Sequence, residues 1–169
     1  MTNKQRYIIM LRMMLMSTKS KRTAYLKSKN IFGSFGDGCA WYAKKLPSEP
    51  ENIFIHNNVY ICADVRFITH DVINDMLSKN KNYPEFADAP HCADNYKGNI
   101  EIFDDCVIGA GSTLMYNTKI GPNSIVAAGS VVTKDVPSGE IWGGAPAKKI
   151  GTVDELVKKR MSINEQTKN

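Results

Sequence analysis

Large aliphatic residues recur every six positions from Ile102: Ile108, Leu114, Ile120, Val126 and Val132 follow without a slip. Four places after these members stand Cys106, Ser112, Thr118, Ser124, Ser130 and Val136, all small or β-branched. An α-helix cannot use a period of six, because 3.6 residues per turn would scatter these side chains around its whole surface. A flat alternating strand does not fit either. The arrangement that fits is a prism: each hexad gives one short strand and one corner, three hexads make a coil, and coils stack as parallel ladders about 4.8 Å apart. The large residues then fill the axis, and the fold class is mainly β. The same phase appears upstream at Ile55, Ile61 and Phe67, with Val59 and Val65 four places on, and less regularly at Phe35, Cys39 and Trp41. Gly109 and Gly121 directly follow large members, where a corner needs permissive backbone angles or room for close approach.

Two interruptions frame this repeat. Between Phe67 and Ile102 the spacing is one residue short of whole hexads, and Asp71 to Asn99 has no six-fold phase, so about 71–99 reads as a loop extruded from the prism. Residues 1–30 have helical spacing, with Ile8, Leu11, Met14 and Leu15 on one side, and are expected to be a basic helical cap over the first coil. The prism itself is expected over 31–137. Val136-Pro137-Ser138-Gly139 stops the repeat, and 138–169 is expected to form an irregular arm, Trp142 to Ile150, and then a short helix with Thr152 as its N-cap.

Charge is segregated. The net charge of +5 arises because residues 1–30 hold eight Lys or Arg and no acid, leaving 14 basic and all 17 acidic residues to the rest. A basic tail on a slightly acidic body argues against a nucleic-acid-binding core; the tail reads first as a solvated helix face, with weak contact to membrane or an anionic carrier as the alternative. The longest apolar run, Tyr7 to Met16, is broken by Arg12 and is too short to cross a bilayer, and no cleavable signal follows it, so a cytoplasmic protein is expected. Cys39, Cys62, Cys92 and Cys106 form no CxxC pair and read as buried or incidental thiols, with no metal site.

The segments Ile55 to His70, Cys106 to Ser112, Ile120 to Pro137 and Ile141 to Ile150 closely resemble the hexapeptide-repeat acyltransferases. AAGSVVTKDVP and GGAPAK are similar to the acetyl-coenzyme A users among them, and RFITHD looks like the sugar and polysaccharide O-acetyltransferase branch. The resemblance implies a left-handed parallel β-helix, a homotrimer, and an acyl donor lying between neighbouring prisms with a histidine at the inner end. His70 matches that histidine. A neutral imidazole accepts a proton near neutral pH, so the implied reaction is general-base attack of a saccharide hydroxyl on acetyl-CoA. Ala110 and Ala128 match backbone contacts to the donor, Thr133, Lys134 and Lys148 match its outer groove, and Trp142 packs on donor or neighbour. A serine found in some relatives at the place of Ala110 is missing, which leaves the oxyanion to a backbone amide.

For the acceptor, Asp37, Asn57, Asp75, Tyr83, Asp88 and His91 are candidates by polarity alone. His56 reads as a solvated turn residue. The three histidines stand 14 and 21 residues apart, which does not match the zinc-binding spacing of the γ-class carbonic anhydrases on a similar prism. Two alternatives remain beside saccharide O-acetylation: a non-catalytic hexapeptide-repeat scaffold, and N-acetylation of a drug or amino sugar.

Overall fold

The computed structural model describes residues 2–87 and 96–166. Two helices come first, α1 (Asn3–Leu15) and α2 (Lys19–Lys29). The first coil holds β1 (Ser34–Phe35) and β2 (Ala40–Trp41). The second holds β3 (Ile53–Ile55), β4 (Tyr60–Ile61) and β5 (Arg66–Ile68). After an excursion carrying α3 (Ile73–Ser78) and α4 (Pro84–Ala87), the third coil is β6 (Ile100–Ile102), β7 (Val107–Ile108) and β8 (Thr113–Met115). The fourth is β9 (Thr118–Ile120), β10 (Ile125–Val126) and β11 (Val131–Val132). A hairpin, β12 (Glu140–Gly144) and β13 (Ala147–Thr152), leads to α5 (Val153–Gln166).

The strands stack into three walls. The first is β1-β3-β6-β9, the second β2-β4-β7-β10-β12 with β13 at its end, and the third β5-β8-β11. All neighbours pair in parallel except β12 with β13. Register puts the six-fold residues on top of one another: Phe35, Ile55, Ile102 and Ile120 on the first wall, Trp41, Ile61, Ile108 and Val126 on the second, Phe67, Leu114 and Val132 on the third. From Ile55 onward every member is buried. With Asp71 to Asn99 taken out, Phe67 and Ile102 fall one hexad apart, so the excursion leaves the coil without disturbing its phase.

The second periodic set has a distinct task. A corner turns backbone carbonyls away from the ladders, and buried carbonyls need donors. Ser112 Oγ donates to Ala127 O at 2.9 Å, Ser124 Oγ to Pro137 O at 2.8 Å, Ser130 Oγ to Ala127 O at 2.6 Å and Thr118 Oγ1 to Met115 O at 2.6 Å. Just before each member of this set from Val59 to Ser130 the backbone takes a left-handed step, at Asn58, Asp64, Asp105, Gly111, Asn117, Asn123 and Gly129. Asn, Asp and Gly are the residues that tolerate it.

Two expectations are corrected. On α1 the buried side chains are Ile9 and Met13, while Ile8, Leu11, Met14 and Leu15 face outward. The helix is apolar on both sides, so spacing alone cannot choose the face. Its rotation is set instead by the turn into α2, where Arg22 Nη1 donates to Met16 O at 2.6 Å, and by Arg6 Nη1 donating to Ser48 Oγ at 3.0 Å. The arm from Trp142 to Ile150 is a regular hairpin rather than irregular chain: Gly144, at φ +97°, makes its turn, and Trp142 stacks in register on Val126. Thr152 does cap α5, its Oγ1 accepting from Glu155 N at 3.3 Å while Glu155 Oε2 accepts from Thr152 N at 2.9 Å.

Candidate active site

His70 stands where the chain leaves the prism after β5. The excursion departs and returns at one place: Gly98 N donates to Thr69 O at 2.9 Å, Asp71 N to Tyr96 O at 3.1 Å, and His70 bridges Lys97 antiparallel. The departing strand is thus tied to the returning one on both sides of the histidine. Tyr116 Oη, at the end of β8, donates to Asp71 Oδ2 at 2.6 Å, and Asn117 Nδ2 donates to Tyr96 Oη at 2.9 Å. The hydrogen bond from Tyr116 holds the Asp71 carboxyl below its ordinary range and raises the Tyr116 phenol.

The first coil supplies the partner. Glu49 Oε2 lies 2.9 Å from His70 Nδ1 and accepts from Thr69 Oγ1 at 2.7 Å, and its other oxygen lies 3.4 Å from Lys97 Nζ. Partial burial pushes the Glu49 carboxyl up, but the hydrogen bonds from Thr69 and His70 and the charges of His70 and Lys97 outweigh it and hold the group below its ordinary value. A carboxylate in that position accepts a hydrogen bond from Nδ1–H and so leaves the lone pair on Nε2, the tautomer a general base needs. Replacing Glu49 by glutamine is expected to lower kcat at least about tenfold with the donor KM unchanged, since orientation is lost and binding is not. The same variant should flatten the acid limb of stability: a carboxyl whose folded pKa is depressed stabilises above roughly pH 4 and loses that contribution as pH falls through the folded value.

The other sequence candidates lie on separate edges of the prism. Ala110 and Ala128 stack on the edge between the second and third walls, with Gly129 N donating to Ala110 O at 2.8 Å. Trp142 joins them, its carbonyl accepting from Ala127 N at 2.8 Å, and Lys148 pairs in register with Gly143 beside it. Thr133 and Lys134 follow β11 on the edge between the third and first walls, the edge that also carries His70. A groove of about 340 Å³ crosses the third wall from Asp64 and Gly111 to Ile68 and Ser48, the neighbour of Glu49.

Asp37 and Asn57 occupy the remaining edge and bond each other, Asp37 N donating to Asn57 Oδ1 at 2.9 Å, while the Asp37 carboxylate pairs with Lys27. Asp75 of α3 pairs with Lys79, just past that helix, at 2.7 Å, and Tyr83 stands exposed before α4. These four are not brought to His70. Asp88 and His91 lie outside the described residues. His56 is half-buried rather than solvated, stacked on Phe103 at 4.8 Å and 3.1 Å from Glu101 Oε1. Cys106 is a buried corner thiol, pushed by burial up to about 11, which suits it to packing and not to nucleophilic attack. Among the described residues no group of His, Cys, Asp and Glu could hold a metal ion.

Glu49, Lys97 and Tyr116 were not legible as site residues. Glu49 sits between Pro47 and Pro50, off the hexad phase, and only the closing of the first coil beneath the second brings it to His70.

Residues 99–134 match the family model described as bacterial transferase hexapeptide (six repeats). A 2,3,4,5-tetrahydropyridine-2,6-dicarboxylate N-acetyltransferase of Clostridium perfringens is 50% identical over 62 residues, which is 37% of this chain and 26% of that relative. The chain therefore matches about a quarter of that curated relative's length. Among solved structures, a maltose O-acetyltransferase from Clostridium difficile 630 superposes with a TM-score of 0.62 at 19% identity, covering 89% of this chain and 85% of that one. A galactoside acetyltransferase in complex with coenzyme A gives a TM-score of 0.61 at 20% identity, covering 91% and 82%. The chain is a hexapeptide-repeat protein with the fold of the hexapeptide-repeat acetyltransferases.

Proposed function

We propose that this protein transfers acetyl from acetyl-CoA to a hydroxyl of a saccharide, a precursor of a surface polysaccharide, with His70 as general base. The observation that carries this reading is the Glu49–His70 pair held at the mouth of the excursion on a prism edge. His70 Nε2 takes the proton of the acceptor hydroxyl as its oxygen attacks the thioester carbonyl; the new C–O bond forms, the C–S bond breaks, and the imidazolium returns the proton to the departing thiolate. There is no acyl-enzyme. Ala110, Ala128, Trp142 and Lys148 on one edge, and Thr133 and Lys134 on another, are the donor-binding residues of this reading.

Residues divided between two edges of one prism suit a site completed by a second copy. We read the assembly as a homotrimer of left-handed coils. The second wall supports it: Tyr60, Val107, Ile125 and Ile141 stack in register on its outer surface, an apolar row that water would otherwise face. The reaction belongs in the cytoplasm, where the donor thioester is made. The test is thiol release from acetyl-CoA in the presence of mono- and oligosaccharides, with the product mapped by mass spectrometry. Acceptor-dependent release with an ester product is the expected result; release only with amines would replace this reading with N-acetylation, the activity in the name of the Clostridium perfringens relative. No acceptor-dependent release, and no thermal shift with millimolar coenzyme A, would leave a scaffold.

A further inference from the structure

The helix α1 has two apolar faces, and only one is packed. Ile9 and Met13 are buried against the first coil. Tyr7, Ile8, Leu11, Met14 and Leu15 form the opposite stripe, between 46% and 80% exposed. Their spacing follows one side of a helix, so they make a patch and not scattered single residues. A groove of about 560 Å³ opens beside the stripe, lined by Ile8, Ile9, Arg12, Tyr25, Lys29 and Glu51. The Tyr25 hydroxyl within it is buried without a hydrogen-bond partner among the described residues.

Charge decides what covers this face. Lys4 and Arg12 lie on α1 and Lys19, Lys21 and Lys29 on α2, Lys27 being paired with Asp37, and no acid precedes Asp37 in the sequence. A second copy docking cap to cap would bring the same surplus of cations against the first. An anionic bilayer offers the opposite charge together with an apolar layer beneath it. No described helix is long and apolar enough to cross a membrane, and α1 has 13 residues, so the geometry is that of a helix lying in the interface plane.

We propose that α1 docks the protein on an anionic lipid surface, its outer stripe seated at the acyl boundary and the cations of α1 and α2 on the headgroup phosphates. Lys4, at the N-terminal end of the stripe, and Arg12, at its side, reach the phosphates by extending their side chains away from the apolar residues. This inference stands whether or not the prism transfers acetyl groups.

The test is flotation of the full chain with large unilamellar vesicles of phosphatidylcholine, with or without about a third phosphatidylglycerol. The protein is expected to partition at least about tenfold better onto the anionic vesicles, and to be released as salt rises. Leu11→Glu with Leu15→Glu should cut that partitioning at least about tenfold. The melting temperature should stay the same, because both side chains are exposed. A second variant, Arg12→Ala with Lys21→Ala, removes charge without touching the stripe and should weaken binding to the anionic vesicles alone. Equal binding to both compositions, no binding to either, or unchanged binding by the double glutamate variant would overturn the proposal. A wild type that ignores vesicles but loses mass in light scattering on the glutamate changes would assign the face to a second copy.

Discussion

His70→Ala is expected to slow acetyl transfer by about 10²–10⁴-fold while leaving assembly and coenzyme A binding as they are. The size follows from what is removed: among the described residues, the one group on its edge whose free nitrogen is oriented by a carboxylate, at 2.9 Å through the other nitrogen. The fold should tolerate the change. The side chain is about one-third exposed, and Glu49 keeps Thr69 Oγ1 and Lys97 as partners, so no buried charge is stranded. Turnover read by thiol release, together with thermal shifts with and without coenzyme A, separates lost chemistry from lost structure. Activity above about a tenth of wild type in a folded, donor-binding variant would remove His70 from the role of base. The comparison with Glu49→Gln sharpens the reading, because a positioning residue lowers kcat through the base and cannot cost more than the base itself.

How much of this was readable in the sequence follows from which interactions are periodic. Stacking of Ile102, Ile108, Leu114, Ile120, Val126 and Val132 repeats along the chain because every coil faces the same axis, and the period is printed in the sequence. The same holds for His70, since departure from the phase marks where a rigid coil ends. Contacts made once leave no such trace. Glu49 reaches His70 only because Pro47 to Asn52 closes the first coil by its own path, and Tyr116 reaches Asp71 only because the excursion returns beside β8. On α1, apolar residues on both sides gave two admissible faces, and tertiary contacts at Met16 and Ser48 chose between them. A second period is also printed in the sequence: the Asn, Asp or Gly one place before each small corner residue, from Asn58 to Gly129.

That second period sets apart two kinds of glycine, and they predict opposite outcomes. A Cβ at Gly109 would stand 2.4 Å from Ala128 N, 2.7 Å from Ala127 C and 2.7 Å from Val126 O, all backbone atoms of the next coil. Stacked coils are held about 4.8 Å apart by their ladder hydrogen bonds, so no side chain can swing aside to make room. Gly109→Ala is expected to cost about 3 kcal/mol or more and to lower the melting temperature by roughly 6–12 °C at fixed protein concentration. Gly129 has the other requirement. It sits at φ +70° with no described residue within 4 Å of an added Cβ, and Asn117 and Asn123 take the equivalent corners at φ +58° and +54°. Gly129→Asn should therefore stay within about 1 kcal/mol of wild type, since asparagine tolerates the left-handed region and the corner is open. Thermal melts of the two variants side by side distinguish crowding from backbone angle as the cause. A Gly109→Ala protein as stable as wild type would mean that the third and fourth coils do not lie backbone against backbone at this corner, and the register of Ile108 on Val126 would have to be abandoned with it.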